Sequence, residues 1–144
     1  ALVWGALMAA VLGLSLYGME RLDSGHTPAL FGLYFSGGAI GWLLALPIIG
    51  FFSFRRRPET RFAAAFLFLS CGTLGATALL LALQYRMFYA QWHAPFGTVI
   101  WTFQFAFTSA SAVYQFTALG SRHYFPFGVA LLVAASLWLA RRNR

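Results

Sequence analysis

The side chains able to do chemistry are few, and they stand at the edges of long apolar stretches. Histidine occurs as His26, His93 and His123, and carboxylate as Glu20, Asp23 and Glu59. Glu20, Asp23 and His26 share one short segment. Joined by His93, they would offer carboxylate and imidazole ligands to a small interfacial metal or enzyme site. Their spacing follows no zinc or calcium pattern, so no metal is expected, and the plainer reading is a solvated loop. A bis-histidine haem needs its ligands on facing helices at one depth. These histidines fall instead at run ends and in connectors, which leaves any cofactor unassigned.

Covalent chemistry has no recognisable seat. Nucleophile elbow, P-loop, HExxH and paired-cysteine motifs are all missing, so no catalytic residue is predicted. Cys71 is the single cysteine, which rules out an internal disulfide, and beside Gly72 it is expected to pack as a small inert residue. No carboxylate lies inside an apolar run, whereas proton-driven carriers place an ionisable group near mid-membrane.

Polar groups without charge are more suggestive. Gln104, Thr108, Ser111 and Gln115 are spaced 4, 3 and 4 apart, which puts them on one stripe of a helix. In lipid that stripe must face protein, a partner subunit or a wet cavity. Small residues recur at four-residue spacing in Gly5-Ala9-Gly13, Gly37-Gly41 and Gly72-Ala76, a pattern that lets helix backbones approach closely within a chain or between chains. A third feature is the aromatic connector holding Tyr85, Phe88, Tyr89, Trp92 and Phe96. It would anchor at the headgroup level or, through residues such as Tyr89 and Trp92, dock to a neighbouring subunit.

The elements that carry these residues follow from composition. Of 144 residues, 60% are hydrophobic and only 9% charged, against roughly a quarter charged in soluble domains. From Phe62 to Ala140 only Arg86 and Arg122 carry a formal charge. A charge inside hydrocarbon costs several kcal/mol, so charges retreat to span ends. Five apolar runs result: Ala1 to Gly18, Pro28 to Phe54, Phe62 to about Gln84, Gly97 to Leu119 and Tyr124 to Ala140. The first is short for a span unless it continues upstream, and it lacks the basic n-region of a signal peptide. Pro28 suits a first helical turn and Pro47 should kink the second run. Between runs lie the polar connector Met19–Thr27, the arginine cluster Arg55–Arg61, the aromatic segment Tyr85–Pro95, the turn Gly120–His123 and a closing Arg141–Arg144.

The expected fold is all-α, a single transmembrane helical domain over residues 1–144, with five spans or alternatively four. Continuous apolar runs exclude the alternating pattern of a membrane barrel. The positive-inside rule puts the Arg55–Arg61 loop in the cytoplasm, but five spans would then put Arg141 and Arg142 on the other side. Four spans remove the conflict. A net charge of +7 without an exposed basic face argues against nucleic acid. The leading expectation is a non-catalytic subunit of a larger assembly, respiratory or photosynthetic complexes being plausible hosts, in a bacterial inner membrane or an organelle membrane. Its partners would be the lipid bilayer and other membrane subunits, or further copies of itself. Alternatives are a small transporter or lipid-handling protein using the polar stripe, and a membrane enzyme with an interfacial His/carboxylate site.

Overall fold

The computed structural model describes residues 1–20 and 25–142. Five α-helices make up the described chain: α1 (Leu2–Gly18), α2 (Thr27–Ser53), α3 (Pro58–Tyr89), α4 (Val99–Gln115) and α5 (Phe127–Arg142). A 3₁₀ turn, Ala90–Trp92, extends α3, and a π turn, Phe116–Gly120, followed by a 3₁₀ turn, Ser121–Tyr124, separates α4 from α5. No strand occurs among the described residues.

Local chemistry sets the helix starts. Pro28 and Pro58 sit in the first turns of α2 and α3, where a missing N–H costs nothing. Glu59 adds an acidic group in the first turn of α3 that complements the helix dipole. Thr98 caps α4, its hydroxyl accepting from the Trp101 backbone N–H at 3.2 Å. Just before it, Gly97 takes a φ of +86°, a left-handed conformation that a side chain would strain.

Two boundaries differ from the sequence reading. The arginine cluster was expected as one loop over Arg55–Arg61, but α3 begins at Pro58 and takes in Arg61. The aromatic connector was expected at the interface from Tyr85, yet α3 runs on through Tyr89. Straight-chain and aromatic residues there continue the helix until Gln91 and Trp92, since nothing before Pro95 must break it. Pro47 lies within α2 without ending it.

Five apolar runs give five helices, but not five crossings of equal standing. α2 and Pro58–Trp92 are each long and apolar enough to span a bilayer. The segments Val99–Tyr124 and Phe127–Arg142 qualify together as one broken span, bent by 77° at the break, and α1 is a shorter apolar helix. Length and apolar character thus support a helical membrane protein with two or three spans of this kind.

α3 is the central element and packs against α2, α4 and α5, while α1 lies on α2. The α2–α3 interface is backbone-close: a Cβ on Gly41 would sit 2.6 Å from the Gly72 carbonyl carbon. One on Gly37 would collide with Thr77. α1 approaches α2 the same way, with the Gly5 position 2.5 Å from the Phe35 carbonyl oxygen. Such contacts gain dispersion energy where lipid offers no hydrophobic drive between helices. Trp4, Met8, Leu12, Tyr34, Ile49, Leu69 and Phe116 fill the core between them.

Candidate functional site

The densest buried polar cluster forms where the break between α4 and α5 meets α1, α2 and α3. Trp4 Nε1 donates to Thr73 Oγ1 at 3.0 Å, fastening α1 to α3. One turn on, Thr77 Oγ1 donates to the Thr73 carbonyl at 2.8 Å and lies 3.1 Å from the Tyr124 hydroxyl. Thr77 has a single hydroxyl proton, so with that proton on Thr73 the Tyr124 phenol is the donor to Thr77. Tyr34 on α2 donates to the Gly120 carbonyl at 2.7 Å. Its ring lies 5.2 Å from the Tyr124 ring and meets His123 edge-on at 6.2 Å. His123 Nδ1 is 2.8 Å from Ser15 Oγ, tying the break to α1.

The π turn explains why these groups gather. A change of hydrogen-bond register leaves helix carbonyls without their regular partners, and in an apolar interior each needs another donor. Tyr34 supplies one. Hydroxyl, phenol and imidazole together can hold or pass a proton, but every contact named is also a tie between helices. Among the described residues the cluster contains hydroxyl, phenol and imidazole groups and no carboxylate.

Two apolar clefts flank it. One, of about 230 Å³, is lined by Trp4, Met8, Phe66, Leu69, Tyr124 and Leu132. The other, about 210 Å³, opens between Leu30, Tyr34, Leu81, Gln115, Leu119 and His123.

Of the residues singled out from sequence, His123 belongs to this cluster and Gly37 packs against its Thr77; the others lie elsewhere. Gly37 and Gly41 are buried in the α2–α3 contact of this same chain. Gln104 Oε1 accepts from the Ala94 backbone N–H at 2.8 Å, and Thr108 Oγ1 donates back to the Gln104 carbonyl at 2.7 Å. Ser111 is exposed, and Gln115, also exposed, reaches Tyr85 Oη at 3.4 Å. Gln104 and Thr108 are half-buried, Gln115 reaches α3 through Tyr85, and Ser111 between them is exposed. Tyr89 and Trp92 stack among Tyr85 and Phe88, with Trp92 exposed.

Among the described residues, no three His, Cys, Asp or Glu side chains gather around a point that could hold a metal. His26 is exposed at the start of α2 and His93 is half-buried after the 3₁₀ turn. Glu20 is exposed at the end of α1, and Asp23 lies outside the described residues. Cys71, expected to pack inside, is exposed on α3, because the face of α3 turned to α2 is that of Gly72 and Thr73.

Sequence reasoning missed Ser15, Tyr34, Thr73, Thr77 and Tyr124. The available signal was a hydroxyl inside an apolar run, with Thr73 and Thr77 four apart on one helix face.

No protein-family model, curated protein or solved structure matches the chain.

Proposed function

We propose that this chain is a non-catalytic subunit of a membrane assembly, and that α4 carries its docking face. One observation about α4 carries the reading. Only Ala112 of its residues is fully buried; Trp101, Gln104, Phe105, Thr108 and Ser109 are half-buried toward the bundle, and the remaining side chains are exposed. The uncovered side presents Phe103, Phe107 and Tyr114. Ser111, which the structure leaves exposed, shares that side. Apolar rings alone would suit lipid tails. The Tyr114 phenol does not, because acyl chains accept no hydrogen bond and it cannot turn back to its own helix carbonyls as a Ser hydroxyl does, whereas a second protein offers an acceptor.

Topology supports the same picture. Taking α4, the break and α5 as one broken crossing returns the chain to the side of the α2–α3 turn. Arg141 and Arg142 then share a side with Arg55, Arg56, Arg57 and Arg61, against Arg86 across the membrane. With that arrangement the positive-inside rule favours a cytoplasmic side for both arginine clusters.

Purification in mild detergent tests the proposal. Stable co-migration with defined partner polypeptides is the expected result; a homogeneous lone chain, or a pure homo-oligomer, would overturn the accessory-subunit reading. A second reading, lipid handling, draws on the apolar cleft between α1, α3 and α5. It requires an apolar molecule that stays bound through purification and is lost when Leu132→Trp fills the cleft.

A further inference from the structure

Arg86 lies in the last turn of α3 and has its guanidinium carbon 4.5 Å from the Phe105 ring centroid and 5.5 Å from that of Trp101. Those rings, one helical turn apart on α4, are nearly parallel at 7° with centroids 5.5 Å apart. They stack on one another as a single aromatic platform, and the cation sits against it, nearest the Phe105 ring. Attraction to ring faces occupies the face of a guanidinium and leaves its in-plane N–H fork available.

No hydrogen bond or ion pair fills that fork among the described residues. Glu59, the acidic residue of the same helix, stands in the first turn while Arg86 stands in the last. The neighbouring side chains are the rings of Tyr85, Tyr89 and Trp92, a density of aromatics typical of the headgroup level. A guanidinium at that depth, only half exposed, needs an oxyanion of matching shape. Phosphate is such an oxyanion, and in a bilayer it is borne by lipid headgroups.

We propose that Arg86, laid on Trp101 and Phe105, is the headgroup site for one anionic phospholipid, whose phosphate accepts from the guanidinium fork. The inference rests on the membrane placement of the chain but not on its having a partner subunit. A net negative headgroup is favoured over a zwitterionic one because no acidic side chain among the described residues pairs with Arg86.

Native mass spectrometry of the detergent-solubilised protein with equimolar phosphatidylglycerol and phosphatidylcholine tests this. Wild type should retain one phosphatidylglycerol in preference, by about fivefold for one Arg near the surface. Arg86→Gln should abolish the preference, and Arg122→Gln should keep it. If Arg86→Gln does not yield folded protein, Phe105→Leu keeps the cation and removes half of the platform, and it should weaken retention. Equal retention by Arg86→Gln, or by Phe105→Leu, would overturn the site. So would displacement of the lipid by millimolar inorganic phosphate, which would make the ligand a free anion. A wild-type protein with no lipid preference, yet still co-purifying with partner chains, would remove this inference alone.

Discussion

The Tyr34 hydroxyl on α2 donates to the Gly120 carbonyl at 2.7 Å, although the two residues lie 86 positions apart. The contact caps the π turn where the helical ladder between α4 and α5 loses its register. A methyl on Gly120 would lie 2.6 Å from the Phe116 ring and 3.3 Å from the Tyr34 hydroxyl, so the residue must be small for the cap to seat. Broken backbone in a membrane interior is tolerated where protein groups satisfy it. Here α2 does so with a side chain that sequence patterning alone would assign to packing.

Removing that cap should be felt. Tyr34→Phe keeps the ring against Tyr124 and Phe116 and deletes only the hydroxyl. It removes one hydrogen bond to a half-buried carbonyl that also opens the Ser121–Tyr124 3₁₀ turn, at a cost of about 0.5–1.5 kcal/mol. Thermal unfolding in detergent should show a lower midpoint. An unchanged midpoint would mean that Gly120 needs no donor.

The glycine contacts give a sharper contrast. Gly41→Ala places a methyl 2.6 Å from Gly72 backbone atoms, which cannot swing aside as a side-chain tip can. The helices must separate, costing about 1–3 kcal/mol as overpacking does. Gly75, on the same α3, has nothing within 4 Å of its Cβ position, so Gly75→Ala should be neutral or raise stability by up to about 1 kcal/mol through helix propensity. The same melting assay reads both. Equal effects at the two positions would contradict the close α2–α3 approach.

The polar stripe also divides into two behaviours. Gln104→Leu removes the acceptor for the Ala94 N–H and should cost about 1 kcal/mol. Gln115→Leu loses only a long, exposed contact of 3.4 Å to Tyr85 and should change stability by less than about 0.5 kcal/mol. If Gln115→Leu proves the costlier, the side chain has a partner outside this chain, which would itself favour an assembly on α4.

The helices were legible in the sequence because lipid leaves little freedom: apolar runs flanked by arginine must satisfy their backbone internally. Pro28 marked the start of α2, whereas Pro58 was read as part of the arginine loop although α3 begins there. The contacts of Gly37 and Gly41 were legible as close approach but not as contact within this chain, since a four-residue repeat fits either case. The break after Gln115 was not legible. Phe116 to Gly120 reads as ordinary helix, and nothing local announces that Tyr34 will cap it from far along the chain. Ser15, and its contact with His123, stayed hidden for the same reason: only tertiary packing brings the two side chains to 2.8 Å.

That break decides how the chain crosses the membrane. If α4 and α5 form one bent crossing, residues 56 and 142 face the same compartment. If each crosses separately, they face opposite ones. Single cysteines at Arg56→Cys and Arg142→Cys, each with Cys71→Ser to remove the exposed native thiol, can be probed in sealed vesicles with an impermeant maleimide. Both should label from the cytoplasmic face and neither from the other. Both positions are exposed, Arg56 between α2 and α3 and Arg142 in the last turn of α5, so poor reactivity from burial does not compete with the topological result. Labelling of the 142 position from the non-cytoplasmic face alone would establish two separate crossings and put the second arginine cluster outside.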